Sequence, residues 1–539
     1  MAVITPNTDV ILLKVPLEID ENNQLTFANA TAQYNYFYGL TGKRAFDKFT
    51  YQRKDGTIRV PALIDELYEY NYVMYRNTNH DNKWFYAFIT DLSYVSDQVT
   101  AITIKTDVWQ TWQFDLTFKT TFVEREHVND DTIGSHTVDE GLDTGEYVLN
   151  SSTTLKPDAV VKDDQNVTIS WAFPIVFQVT ELVGTAAGTS QWYSGSYNRV
   201  FSGLYYFACC SYTDARSIIN QYDNAGKGDA IVAIFLAPKE FFNGAIKISG
   251  NGATIYIPAD SSSISNLLAA TTISRPATLN GYTPKNNKLF TYPFSYIYAT
   301  NNVGNDNVYR YEDFANATPK FYIGGALGQG CTTKLCPVSY KSYTTDAEVF
   351  EYGMAGAKYP VCAWKSDYYT NWVTQNAANQ ANAIVKAGVG AAAGAAFGGV
   401  GAFAGGAISL LSAVTNNMVK RYEASIIPDQ AKGNTSTSDI LMGWERYFTV
   451  DCMSIRYEMA KIVDDFLSMF GYKVNAVKVP NVTGRTNWNY VKTVGCYILA
   501  DIPQTDLAEI KSMFDKGITF WHNPSTFMDY SQSNAIVTP

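Results

Sequence analysis

Two neighbouring segments decide the fold class of this chain: NKWFYAFIT at residues 82–90 and VTAITIK at residues 99–105. Both are rich in aromatic and β-branched residues, which favour strands. Ser96 and Asp97 lie between them and are turn-forming residues, so the spacing predicts a β-hairpin. We expect strands to dominate the stretch 1–128, with one short helix at 65–70.

The same aromatic composition extends over the whole chain. The sequence holds 38 Tyr, 29 Phe and 10 Trp among 539 residues. Tyr is enriched at subunit interfaces because it buries a large area while it keeps one polar tip. This composition predicts a β-rich protein with extensive contact surface, and the length allows about three or four domains.

The sequence changes character from about position 129 to position 341. Short apolar runs at 170–179, 204–210, 230–237 and 254–257 alternate with Gly, Ser, Asn and Asp. This spacing predicts either a β-sandwich or an irregular α+β insertion.

The carboxyl-terminal part has the pattern of a compact α+β or βαβ-like region. One helix is predicted from apolar residues at helical spacing: Ile455, Met459, Ile462, Val463, Phe466, Leu467 and Phe470. Gly471 stands where a helix-ending glycine is expected, and Asp464 and Asp465 are expected on the solvated side.

After that helix we expect a strand pair at 472–479 and 490–499. A second helix is predicted to begin at the capping residue Thr505 and to end near Phe514, before a closing strand at 518–521.

Charge and cysteine content exclude some function classes. The formal net charge is -10, and the chain has no Lys/Arg-rich block, so the electrostatic footprint of a protein that grips nucleic acid is missing. The 7 Cys include no CxxC pair, which favours free thiols in a reducing cytoplasm. The apolar run at 10–13 is too short for a signal peptide.

The stretch 387–419 is a continuous run without a charge, and it includes ten Ala and eight Gly. As a helix this run would reach about 50 Å, more than the roughly 30 Å of a bilayer's hydrocarbon. Its large apolar residues contribute only about -4 kcal/mol to insertion, which predicts conditional membrane entry. These candidate membrane-inserting residues are Val389, Phe397, Val400, Phe403, Ile408, Leu410, Leu411 and Val414.

A second pattern lies inside this uncharged run. Small residues recur every four positions and would form one smooth helix face for close packing: Gly390, Gly394, Gly398, Ala402 and Gly406. Lys386, Lys420 and Arg421 flank the run and are candidate headgroup anchors. The composition also fits a flexible linker or a helical hairpin buried in an oligomer, and it does not choose between these and membrane entry.

Candidate catalytic and metal sites are few. The four histidines are His80, His127, His136 and His522. His127 and His136 lie near acidic residues between 124 and 140, where a metal site is possible in principle, but we expect a solvated acidic loop. We find no Walker loop, GxSxG or HExxH motif, and we therefore expect no enzyme, no metal and no cofactor.

Several short segments of the sequence resemble the tail knob protein family of Picovirinae-type short-tailed bacteriophages. Between positions 1 and 145 they are the segment 82–90, DVWQTWQFD at 107–115, REHV at 125–128 and DEGL at 139–142. In the carboxyl-terminal third they are FGYKV at 470–474, KVPN at 478–481 and the stretch 510–522. The uncharged run falls where that family has a long hydrophobic loop. The middle, about 150–345, matches nothing we can name.

The resemblance implies a mainly β fold with α+β parts: β-barrel-like tail-tube domains in a ring, an inserted β-rich domain and a long Gly/Ala hydrophobic loop. The expected division is an N-terminal tube-wall domain at 1–145 and an inserted domain at 146–345. A return to the tube wall at 346–375, a membrane-active loop at 376–440 and a C-terminal α+β tube domain at 441–539 would follow.

The resemblance also implies a function and partners. Six copies would form the distal tail tube, beside upper tail tube or connector proteins, and their loops would plug the lumen. On infection the loops would enter lipids of the host cytoplasmic membrane, and genomic DNA would pass without sequence-specific binding. The protein would be made in the host cytoplasm and reside in the virion. The alternatives are a receptor-binding adhesin acting through 146–345 and a cell-wall hydrolase.

Overall fold

The computed structural model describes residues 7–20, 22–77, 82–156, 159–189, 193–197, 200–259, 269–325, 327, 332–341, 352–358, 361–362 and 447–537. The fold is mainly β with α+β parts, as predicted. The chain divides into two compact units. Unit 1 comprises Met1–Gly145, Gly281–Pro293 and Arg456–Pro539, and unit 2 comprises Glu146–Asn280 and Phe294–Ile455.

The strands are numbered in chain order. The first fourteen are β1 (Thr8–Leu13), β2 (Asn23–Leu25), β3 (Arg44–Phe49), β4 (Thr57–Val60), β5 (Tyr72–Asn77), β6 (Trp84–Ser96), β7 (Val99–Thr106), β8 (Thr117–Phe118), β9 (Thr121–Glu126), β10 (Tyr147–Leu155), β11 (Ile175–Val179), β12 (Tyr193–Tyr197), β13 (Val200–Cys209) and β14 (Ile231–Leu236). The others are β15 (Ile246–Gly250), β16 (Ala253–Ile257), β17 (Ala269–Thr272), β18 (Ser295–Thr300), β19 (Asp306–Tyr309), β20 (Lys320–Gly325), β21 (Thr332–Val338), β22 (Met354–Lys358), β23 (Val361–Cys362), β24 (Phe448–Ile455), β25 (Tyr472–Lys478), β26 (Trp488–Val494), β27 (Ile498–Leu499) and β28 (Ile518–Trp521).

The described α-helices are α1 (Ala30–Gly39), α2 (Val108–Trp112), α3 (Tyr212–Asn224), α4 (Tyr457–Phe470) and α5 (Gln504–Lys516). Single 3₁₀ turns are found at Ile64–Glu66, Ala186–Gly188, Gly228–Ala230, Lys239–Phe242, Asn287–Phe290, Tyr311–Asp313 and Pro524–Thr526.

Unit 1 contains two larger sheets and one strand pair. The six-stranded sheet has the order β3-β1-β5-β6-β7-β4, and the five-stranded sheet has the order β2-β28-β26-β9-β25. The predicted hairpin is confirmed as β6 and β7, which pair antiparallel up to Ser96 and Val99. Strand β27 pairs with β8.

One face of the five-stranded sheet is covered by helices. Val491 and Phe520 from its strands pack with Val108 and Trp109 of α2 and with Ile510 and Phe514 of α5. Each such side chain, fully buried, stabilises the fold by about 1.5–3 kcal/mol relative to an exposed one. This face therefore holds a core of unit 1.

Unit 2 contains a seven-stranded sheet and two four-stranded sheets. The seven-stranded sheet has the order β15-β16-β13-β11-β14-β23, with β12 paired to β13, and the others are β10-β24-β18-β19 and β17-β20-β21-β22. The four predicted apolar runs form β11, β13, β14 and β16 of the seven-stranded sheet. Helix α3 packs on β16 and β13, so the α+β alternative is the observed one.

Several sequence-based predictions for unit 1 are confirmed. Helix α4 ends at Gly471, whose φ is 66° and whose N–H donates to the Leu467 carbonyl. The closing strand is β28. Free thiols were predicted as well, and among the described cysteines Cys209, Cys210 and Cys452 of unit 2 and Cys496 of unit 1 are free.

Other predictions for unit 1 are wrong in ways that tertiary packing explains. The predicted strand pair 472–479 and 490–499 does not pair with itself, because β9 lies between β25 and β26. Strands β26 and β28 are antiparallel, so the region is α+β and not βαβ-like. Thr505 lies inside α5, whose N-cap is Pro503. The expected helix at 65–70 is the 3₁₀ turn Ile64–Glu66.

Two residues of helix α4 lie on the opposite side from the one that we predicted. Ile462, expected in the core, is 63% exposed. Asp464, expected in solvent, is buried. The helix therefore lies on the protein through a face that its apolar residues alone did not identify.

Candidate assembly surface

The residues predicted for the membrane step lie outside the described residues. They are Val389, Phe397, Val400, Phe403, Ile408, Leu410, Leu411, Val414, Gly390, Gly394, Gly398, Ala402, Gly406, Lys386, Lys420 and Arg421. His80 lies outside them as well. Within the described ranges, none of the helices has the length and hydropathy that a membrane crossing requires.

The segment between 124 and 140 is only in part the solvated acidic loop that we predicted: residues 129–139 form a mostly exposed loop, but Glu126, His127 and Glu140 are buried. His127 is buried, its Nδ1 accepts from the Tyr490 N–H at 2.8 Å, and its Nε2 lies 3.1 Å from the Ser468 carbonyl. Burial, and then the charge of Arg485, lowers the pKa of His127 to about 3. His127 is therefore a neutral, hydrogen-bonded residue of the interior. In the part of the chain that the structure describes, no group of residues is arranged to hold a metal.

The glutamates of this segment are buried in ion pairs. Glu140 contacts Arg125 and Lys288 and accepts from the Lys473 N–H at 3.0 Å. Burial lowers the pKa of Lys288, and the charge of Glu140 opposes that shift. Glu126 contacts Lys478 and accepts from the Asn481 N–H at 2.9 Å. These pairs fix β9 and β25 in position.

Asp464 fixes the segment Gly281–Pro293 to helix α4. Its carboxylate accepts from the Tyr282 hydroxyl at 2.8 Å and from the Lys285 N–H at 2.7 Å. It also accepts from the N–H of Asn286 at 3.0 Å and from its side-chain amide at 2.8 Å. These four hydrogen bonds offset the cost of burying the carboxylate. The sequence offered no signal for this contact, because the partners lie far apart along the chain.

Helix α4 covers half of the second face of the five-stranded sheet. On β26, Trp488, Tyr490, Lys492 and Val494 alternate and so share this face. Trp488 donates its indole N–H to the Ser468 carbonyl at 3.0 Å. The rings of Phe470 and Tyr490 meet edge to face with centroids 5.2 Å apart. The ion pair of Lys492 with Glu124 marks the end of the covered half.

Beyond that ion pair, the described part of the chain leaves the same face exposed, and we call this the bare half. Phe122 pairs with Val477 on one side and with Val494 on the other. These three residues, which we call the outer row, are 39%, 71% and 58% exposed. Three large apolar side chains side by side on adjacent strands form an exposed patch of the kind that marks contact with another molecule.

Further exposed apolar residues border the outer row. Tyr497 and Leu499 are about half exposed. The Tyr497 carbonyl accepts from the Lys119 N–H at 3.0 Å, which places it beside the start of β9. The patch therefore extends beyond three residues.

A second exposed feature is the far end of the β6–β7 hairpin. Strand β5 pairs with β6 from Trp84 to Phe88 and no further. Residues 90–96 and the turn at 97–98, which we call the hairpin arm, run past the end of β5, whereas β7 beside them stays paired with β4. Within it Tyr94 is 61% and Val95 is 43% exposed. Sequence reasoning predicted the hairpin but not its open edge, since strand propensity does not report which neighbouring strand ends first.

Two known protein families match parts of this chain. Residues 261–535 match the family described as "Bacillus phage phi29, Tail knob protein gp9, C-terminal domain". Residues 6–117 match the family described as "Caudoviral major tail protein N-terminus". Together these two matches cover most of both units.

Individual relatives match over the whole length. The tail knob protein gp9 of Bacillus phage phi29 is 27% identical, and those of Bacillus phages PZA and B103 are 26% identical. In each case the match covers 98% of this chain and 98% of the relative. The solved structure of the bacteriophage C1 tail knob protein, gp12, is 12% identical and has a TM-score of 0.61 over 98% of this chain and 100% of that one.

Proposed function

Because the chain belongs to the tail knob protein family of Bacillus phage phi29 and its relatives, we propose that six copies close into a ring that forms the distal tail tube. The protein is a structural component of a bacteriophage tail and not an enzyme. Exposed apolar surface in unit 1 supports the ring, since a lone subunit would leave the outer row in water. Upper tail tube or connector proteins would adjoin it in the virion.

For the tube wall and the inserted part we propose the division expected from the sequence. Residues 1–145, 346–375 and 441–539 would build the wall, and 146–345 would be an inserted β-rich domain. Genomic DNA would pass through the lumen without sequence-specific binding. The net charge of -10 supports this, because an acidic protein repels DNA and lets it slide.

The uncharged run 387–419 would act at the membrane. We infer that six copies of it plug the lumen and are released to enter the host cytoplasmic membrane when the genome is ejected. The observation that carries this is the absence of charge over the whole run, together with its weak apolar total. Such a segment stays covered in the assembly and inserts when released. Its small-residue face supports packing between copies, and its flanking cations support anchoring at headgroups.

Dye release from liposomes tests the membrane step. The full chain is expected to release dye, and a chain lacking 380–435 is not. Phe397→Asp with Phe403→Asp places two charges in the run and is expected to abolish release, since each charge at a helix centre costs about 2.5–3.5 kcal/mol. The matched Phe397→Leu with Phe403→Leu variant keeps the run apolar and should release dye as the wild type does. Equal release by all four chains would refute the membrane role.

A further inference from the structure

We propose that the hairpin arm of one copy docks on the outer row of a second copy, and that this is a contact between neighbouring subunits. The proposal rests on the ring proposed above and names two surfaces that build it. Both surfaces belong to unit 1 and both are exposed in the single chain. Neither is therefore covered by the other within one copy, and a contact between them joins two copies.

The hairpin arm offers an open strand edge, exposed apolar side chains and negative charge. Its β6 edge carries no strand partner over 90–96 on the β5 side among the described residues, so backbone groups are available there. Tyr94 and Val95 supply apolar area. Asp91 and Asp97 lie beside them and give the arm two negative charges. Both carboxylates accept hydroxyl hydrogen bonds inside the arm, from Ser93 and Tyr94.

The outer row has the opposite charge balance around a similar apolar centre. Lys119 precedes β9, and Lys492 shares its face on β26 with Val494. Glu124 on β9 neutralises Lys492 through an ion pair. One positive charge is left over, against two negative charges on the arm. An apolar centre with opposite charges at the rim is the arrangement that orients two partners.

The geometry of such a contact agrees with a ring. The two surfaces differ, so the contact is head-to-tail: each copy offers its arm to one neighbour and its outer row to the other. Head-to-tail contacts close into rings when the rotation between copies allows it. A self-pairing contact would instead stop at two copies.

Disulfide trapping tests the contact in the full chain. Tyr94→Cys and Val477→Cys in one chain are expected to give, after mild oxidation, a covalent ladder of up to six copies on a non-reducing gel. Either substitution alone is expected to give none. The matched control is Tyr94→Cys with Val160→Cys, since Val160 is 72% exposed, about the same as Val477 at 71%, but belongs to unit 2. A ladder in the control as well, or no ladder in the test pair, overturns the contact.

Light scattering of the same samples separates this proposal from the ring itself. If the wild type is a six-copy assembly and the test pair fails to cross-link, the ring stands and the arm contact is wrong. If the wild type stays a monomer at all concentrations, both are wrong.

Exchanging the charges at the edge of the contact tests the docking without introduced cysteines. Asp91→Lys and Lys119→Glu are each expected to raise the dissociation constant of the assembly about fivefold, because each places like charges across the contact. The double variant restores opposite charges and is expected to recover most of that loss. The docking would be contradicted if the two losses of affinity simply added in the double variant, or if neither single variant lost affinity.

Discussion

Two halves of one sheet face differ in what lies over them. Along β26 the half at Trp488 and Tyr490 is covered by helix α4, and the half at Val494 is bare. Both halves are built from the same strands and carry large apolar or aromatic residues. The covered half is held by buried polar contacts, and the bare half carries the outer row, whose side chains are exposed to solvent. We infer from this difference that folding of one chain completes the first half, and we propose that assembly completes the second.

Removing the carboxylate of Asp464 gives the largest expected effect on the covered half. Asp464→Ala leaves the backbone N–H groups of Lys285 and Asn286 without their acceptor in a buried site. We expect a loss of about 3–5 kcal/mol in unfolding free energy, measured by denaturant titration at fixed protein concentration.

The neighbouring residue supplies the matched control. Asp465 is 50% exposed and lies 3.6 Å from the Lys285 ammonium, so Asp465→Ala is expected to cost less than about 1 kcal/mol. Similar losses for the two variants would show that Asp464 does not hold Gly281–Pro293 in place.

Gly471 tests how closely helix α4 approaches the sheet. A Cβ at this position would lie 2.2 Å from the Glu126 carbonyl oxygen, and φ is +66°. Gly471→Ala is therefore expected to cost about 3 kcal/mol or more, since backbone must move. Gly495 has a φ of +68°, and a Cβ added there would have no atom within 4 Å. Gly495→Ala is therefore expected to lower the unfolding free energy by only about 1 kcal/mol. Equal thermal shifts for the two variants would contradict this close approach.

His127 makes the stability of the covered half depend on pH. Its folded-state pKa of about 3 lies below the ordinary 6.5, so the unfolded chain binds one more proton between these values. Stability from this group is fully present above pH 6.5 and falls as pH falls towards 3, by about 2 kcal/mol at pH 5. Chemical denaturation at pH 8 and at pH 5 measures how much unfolding free energy is lost between them. In His127→Gln this loss should be smaller than in the wild type by about 2 kcal/mol. An unchanged slope would contradict a neutral buried imidazole.

The bare half should tolerate polar substitution in the folded chain. Val494→Ser and Val477→Ser remove mostly exposed groups, so we expect unfolding free energies within about 0.5 kcal/mol of the wild type. The same variants are expected to weaken assembly about tenfold or more in sedimentation, because apolar centres dominate contacts. Strong destabilisation of the monomer would show that the row is part of the chain's own core.

Sequence reasoning succeeded where the signal is local. The β6–β7 hairpin, the ending of α4 at Gly471 and the strand β28 each follow from propensities within a few positions. It failed where distant residues meet. Asp464 was assigned to solvent because its partners at 282–286 are far away in sequence, and the buried state of His127 depends on Tyr490. The outer row joins positions 122, 477 and 494, which no periodicity connects.

Electron microscopy of the purified full-length chain tests the central claim most directly. The account predicts a hollow six-fold ring with the outer row of each subunit against the hairpin arm of the next. A globular monomer, or a ring in which the outer row faces solvent, would contradict it.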